Sequence, residues 1–141
     1  MRRPLAQWII RTLTSARQEL LRQAFAGLAE GDLQPFETLF DPDARWVGVP
    51  HGGWEGETAT CADRSTIVGR LRRHSRRGRR FTPERLIEEG DRVAIEVTIT
   101  DPDWSGPVKV FKVFTFRAGE NVVVRMNDCV DESYALQVLA A

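Results

Sequence analysis

The nine residues Val108 to Phe116, VKVFKVFTF, set a lysine in the middle of an apolar strand. Side chains alternate between the two faces of a strand, so Val108, Val110, Lys112, Phe114 and Phe116 share one side. A lone charge in such surroundings is too costly to persist, so Lys112 must pair or lose its proton. Two readings follow. Lys112 is a polar hook for a ligand carbonyl, carboxylate or enolate, or it is a salt-bridge partner or a snorkelling side chain that serves only the sheet. His51, in VPHGGWEG, is a loop imidazole able to shuttle a proton near neutral pH, or one that is simply solvated. Trp46 and Trp54 offer aromatic surfaces to line or lid a cavity, with Trp46 better suited to core packing. Trp104, flanked by Asp, Ser and Gly in a turn, suits an exposed contact with a ligand or partner.

The strongest charge feature is RLRRHSRRGRR, with seven Arg between residues 70 and 80. It reads as an anion or nucleic-acid patch, or as a solvated helix face bridged to Glu84, Glu88 and Glu89. The formal net charge is zero, so the rest of the chain opposes polyanion binding, and no groove-reading motif accompanies the run. Neither nucleic acid nor a membrane is an expected partner. Cys61 and Cys129 match no CxxC spacing and read as two free thiols, with no metal site and no cofactor implied. The apolar run near the N-terminus is interrupted by Arg11 too early for a signal-peptide core, which points to the cytoplasm.

These groups need elements to position them. SARQELLRQAFAGLAEGD has the helical period, with Leu20, Leu21, Ala24, Phe25 and Leu28 on one face, a capping box at Ser15 and Gln18, and Gly31 as the stop. LQPFETLF reads as a second short helix with Pro35 in its first turn, and ARWVGV as a strand. After the loop PHGGWEGETAT, a third helix spans about Asp63 to His74 on Ile67, Val68 and Leu71. The strand-like runs RFTPERLIEEG, RVAIEVTIT, the lysine-bearing strand and NVVVRMNDCV follow, and ESYALQVL closes the chain as a short helix. Helices first and an antiparallel meander last argue for an α+β fold with one curved sheet.

In this order, AFAGLAEGDL, LFDPDARW, the meander and FTFRAGENVVVRMNDCVD resemble the nuclear transport factor 2-like superfamily. The likeness is closest to the SnoaL-like branch, which contains ketosteroid isomerases, limonene epoxide hydrolase and polyketide cyclases. It implies a single domain, with residues 1–14 as an N-terminal extension. It also implies a cone in which a bent antiparallel sheet wraps three helices around a blind, mostly apolar pocket. Lys112 stands where the isomerases carry a protonated acid, so the resemblance turns it inward with Val110, Phe114 and Phe116. On the last strand it turns Arg125, Asn127 and Cys129 inward as well. Asp131 falls at the place of an acid that is catalytic in some cyclases and hydrolases, and so becomes the partner of Lys112 or a base.

Known chemistries of the branch do not transfer. Ala24 replaces the isomerase tyrosine and Gly48 its base, while Val97 and Ile99 stand where the epoxide hydrolase needs an Arg-x-Asp pair. The implied function is a pocket for a small hydrophobic molecule, in an isomerase, cyclase or hydrolase. The alternative is a non-catalytic binder or dimeric interaction module. Family members often pair through the outer sheet face, which here would offer Phe111, Val113, Val122, Val124 and Met126 to a homodimer.

Overall fold

The computed structural model describes residues 15–48 and 61–141; His51, Trp54 and the extension 1–14 lie outside the described residues. Helix α1 (Ala16–Ala29) starts where the Ser15 side chain accepts the Gln18 backbone N–H, and its buried face is Leu21, Ala24, Phe25 and Leu28. The Gln18 side chain does not complete a capping box. It donates to Glu88 at 3.0 Å and ties the helix to the sheet. Helix α2 (Gln34–Leu39), with proline at its start, runs directly into strand β1 (Phe40–Val47). Helix α3 (Arg64–Arg76) is N-capped by the Asp63 side chain. Strands β2 (Arg80–Glu89), β3 (Arg92–Thr100), β4 (Val108–Phe116) and β5 (Val123–Cys129) follow, and helix α4 (Glu132–Ala140) ends the chain.

The α1–α2 turn is tight. A methyl group on Gly27 would stand 2.8 Å from the Asp32 carbonyl oxygen and 3.0 Å from a Pro35 ring carbon. Gly27→Ala should therefore lower the melting temperature, since overpacking costs about 1–3 kcal/mol. Thermal unfolding checks this, and an unchanged midpoint would show that the turn yields freely.

The sheet order is β1-β5-β4-β3-β2. Neighbours from β2 to β5 are antiparallel, but β1 lies parallel to β5, so the sheet is mixed rather than purely antiparallel. The inner face carries Val93, Ile95, Val97 and Ile99 of β3 with Val110, Phe114 and Phe116 of β4. These pack on α1, on Phe36 and Leu39 of α2, and on Ile67, Val68 and Leu71 of α3. Phe25 meets Phe36 and Phe114 edge-on at 5.1 and 6.1 Å between ring centres.

The outer face differs from the expectation of an open dimer surface. Ala94, Val113 and Cys129 are buried beneath Ala135 and Leu139 of α4, with Phe111 packed alongside. Arg92 holds this helix by donating to the Val138 and Ala141 carbonyls, each at 2.6 Å, and Arg85 pairs with Glu132. Met126 belongs to the inner core. The C-terminal helix thus covers Val113 and packs against Phe111, two of the residues expected at a homodimer surface, while Val122 and Val124 are half-buried.

Candidate functional site

Lys112 does face inward. Its residue is 1% exposed, and Val110, Phe114 and Phe116 are equally buried on the same side of β4. Its partner is Asp128, not Asp131. Lys112 Nζ donates to Asp128 Oδ1 at 2.6 Å, and the indole Nε1–H of Trp46 donates to Asp128 Oδ2 at 2.9 Å. The ammonium lies 4.7 Å from the centre of the Trp46 ring and 6.0 Å from that of Phe81.

A slip in register explains the exchange of partners. Phe116 pairs with Val123 and Thr115 with Arg125, so β5 accommodates an extra residue at Val124. Beyond it the parity reverses, as a one-residue bulge requires. Met126 and Asp128 then turn inward opposite Phe114 and Lys112, while Arg125, Asn127 and Cys129 turn outward opposite Thr115, Val113 and Phe111. Arg125 is exposed and donates to the Asn127 side chain at 3.0 Å. Cys129 packs under α4, and burial, with the Asp128 charge adding to it, pushes its thiol up to about 12, far from a reactive thiolate. Asp131 is exposed and N-caps α4 by accepting the Tyr134 N–H at 2.9 Å. The expectation of Asp131, Arg125, Asn127 and Cys129 as pocket residues is corrected on this ground.

Helix α3 adds two groups. Arg70 places its guanidinium 5.3 Å from the Trp46 ring centre and donates to Cys61 Sγ at 3.6 Å. The Cys61 backbone pairs in both directions with Trp46 at 2.9 Å. His74 is 5% exposed, and its ring lies 6.1 Å from that of Phe81. Burial lowers its pKa from 6.5 to about 3, helped by the positive charges of Arg79, Arg70, Lys112 and Arg77, so the imidazole is neutral in ordinary buffers. Further along, buried Arg79 meets Asp101 at 3.0 Å and stacks over Trp104 at 4.7 Å; Arg77 reaches the same Asp101 oxygen at 3.4 Å. The basic run is thus divided between inward Arg70 and Arg79 and exposed Arg72, Arg73, Arg76, Arg77 and Arg80. The acids that Arg77 and Arg79 meet are Asp101 and Asp103, not Glu84, Glu88 and Glu89.

Asp128 and His74 were absent from the sequence-level candidates. His74 stands three residues after Leu71 and seven after Ile67, which puts it on the apolar stripe of α3. For Asp128 the signal is the run Val122–Val124, which breaks strict alternation and leaves strand parity open on either side. Among the described residues no group of three or more His, Cys, Asp or Glu could hold a metal ion. Among the described residues one hollow of about 330 Å³ lies apart from this cluster, between α1, α2 and Asn121, lined by Leu20, Gln23, Asp32, Pro35 and Leu39.

A curved, unclosed five-stranded sheet with helices against its inner face defines an NTF2-like α+β fold. The chain belongs to the SnoaL-like domain family, whose model matches residues 21–124. Solved structures agree on the fold. An NTF2-like protein of unknown function from Burkholderia pseudomallei is 22% identical with a TM-score of 0.69, over 91% of this chain and 100% of that one. TerC, co-crystallised with polyporic acid, is 23% identical with a TM-score of 0.67, over 90% and 100%. A putative polyketide cyclase from Sinorhizobium meliloti is 15% identical with a TM-score of 0.64, over 78% and 93%. No curated protein sequence matches. Among the described residues no helix is long and apolar enough to cross a membrane.

Ala24 is fully buried on α1 and Gly48 follows the end of β1, and neither residue type carries the isomerase's hydroxyl or carboxylate. Ultraviolet assay of a β,γ-unsaturated ketosteroid should show no turnover above background, since loss of one electrostatic donor alone costs about 10²–10³ in rate. Measurable isomerisation would overturn that placement of residues.

Proposed function

We propose that this protein binds a small, largely apolar molecule inside the cone, at the end where β1, β4, β5 and α3 bring Trp46, Lys112, Asp128 and Arg70 together. The observation that carries this reading is the buried Lys112–Asp128 pair, with side chains 2% and 6% exposed. A buried ion pair is a poor device for stability, because well-packed apolar residues of the same volume do as well or better. Its value is chemical: it keeps a charged donor at a fixed place in a dry, aromatic setting. Two relatives in fold point the same way, one co-crystallised with polyporic acid and one a putative polyketide cyclase. The two buried free thiols, Cys61 and Cys129, fit a reducing compartment, and we place the protein in the cytoplasm.

Titration with phenylnaphthylamine, a neutral fluorophore, tests the binding reading through energy transfer from tryptophan. Saturable binding of one molecule per chain is expected. A signal that rises linearly without saturation would overturn it and would favour an interaction module with a vestigial interior.

A further inference from the structure

Asp128 and Lys112 differ in what they have left to offer a ligand. Both oxygens of Asp128 are engaged, one by the Trp46 indole and one by Lys112. A carboxylate keeps further lone pairs beyond these two contacts, but the donors fix Asp128 in place from two sides. Lys112 carries three N–H donors and spends one on Asp128. Among the described residues the ring faces of Trp46 and Phe81 also lie beside the ammonium, attracting the charge without accepting an ordinary hydrogen bond, and His74 is near enough to feel that charge.

We propose that Lys112 is the group that contacts the ligand and that Asp128 is a positioning residue. The ligand class is then a flat apolar compound bearing one anionic oxygen, such as an enolate, phenolate or carboxylate. This rests on the binding reading above. A charge-assisted hydrogen bond in a dry site favours an anionic oxygen over a neutral group of the same shape. The faces of Trp46 and Phe81 beside the ammonium favour a flat ring system. Trp46 joins the two roles, since its indole fixes Asp128 while its ring borders the ammonium.

The test compares phenylnaphthylamine with anilinonaphthalenesulfonate, which share a ring skeleton and differ by the sulfonate. The intact protein should bind the anion roughly tenfold more tightly, the size of one hydrogen bond to a charged group. Lys112→Arg should keep that preference. Lys112→Met should abolish it, bringing the affinities for the two probes within about twofold of each other. The double variant Lys112→Met/Asp128→Asn, which leaves no buried charge of the pair, should behave in the same way and guards against a single variant that fails to fold. Asp128→Asn should reduce the preference without removing neutral binding. Equal affinity of the intact protein for the two probes, or a preference that survives in the double variant, would overturn the proposal while leaving the binding reading intact. Saturable binding of neither probe would overturn the binding reading itself.

Discussion

Lys112→Met will lower the melting temperature steeply, by about 10–15 °C. The reason is the carboxylate left behind. Asp128 would keep its Trp46 hydrogen bond but lose its counter-charge in a site where its side chain is 6% exposed. Breaking a buried pair by removing one partner costs about 3–5 kcal/mol, and in a domain of this size each kilocalorie moves the midpoint by roughly 3 °C. Asp128→Asn alone should also destabilise, because it strands the ammonium. Combining the two should recover much of the loss, giving a coupling energy well above the few tenths of a kilocalorie that separate independent sites. Asp131→Asn is the control. Asparagine caps a helix about as well as aspartate, so it should change little and add to Lys112→Met without coupling. Thermal denaturation of six proteins, the intact chain, the three single variants and the two double variants with Lys112→Met, measures the cycle and its control. Strict additivity of Lys112→Met with Asp128→Asn would show that the pair contributes nothing as a pair.

The same residues show how far sequence carries. Alternation along VKVFKVFTF was enough to group Lys112 with Val110, Phe114 and Phe116, because β4 runs without interruption across from β3. Alternation failed on β5 for a local reason. The bulge at Val124 reverses the parity of everything after it, and three successive valines conceal where it falls. The partner of Lys112 therefore moved from Asp131 to Asp128. The closing helix was legible from its apolar residues, but its place against the outer face was not. Ala135 and Leu139 say only that α4 covers something, and the contacts with Ala94, Val113 and Cys129 say what. The arginine run misled in another way. Composition cannot distinguish Arg79, buried over Trp104, from Arg72 and Arg73 on the solvent side of α3.

His74 gives the second large effect, a loss of stability on mild acidification. Folding holds the imidazole neutral down to about pH 3, whereas an unfolded histidine takes up its proton near 6.5. Between those values the unfolded chain binds more protons than the native one, so stability falls as pH falls. The slope approaches about 1.4 kcal/mol per pH unit once pH is well below 6.5, which amounts to roughly 2–3 kcal/mol between pH 7 and pH 4.5. Asp41, Asp63 and Asp101, each held below the usual carboxylate range by hydrogen bonds, begin to weaken the fold only near pH 4 and below. The window above pH 4.5 therefore reports mainly on histidine. Urea unfolding at the two pH values, in the intact protein and in His74→Gln, isolates the term, because His51 contributes equally to both. The intact protein should lose the larger amount, and the variant should be nearly flat across the window. An equal loss in both would mean that His74 takes up its proton in the folded state without penalty, and that neither burial nor the charges of Arg79, Arg70, Lys112 and Arg77 hold it neutral.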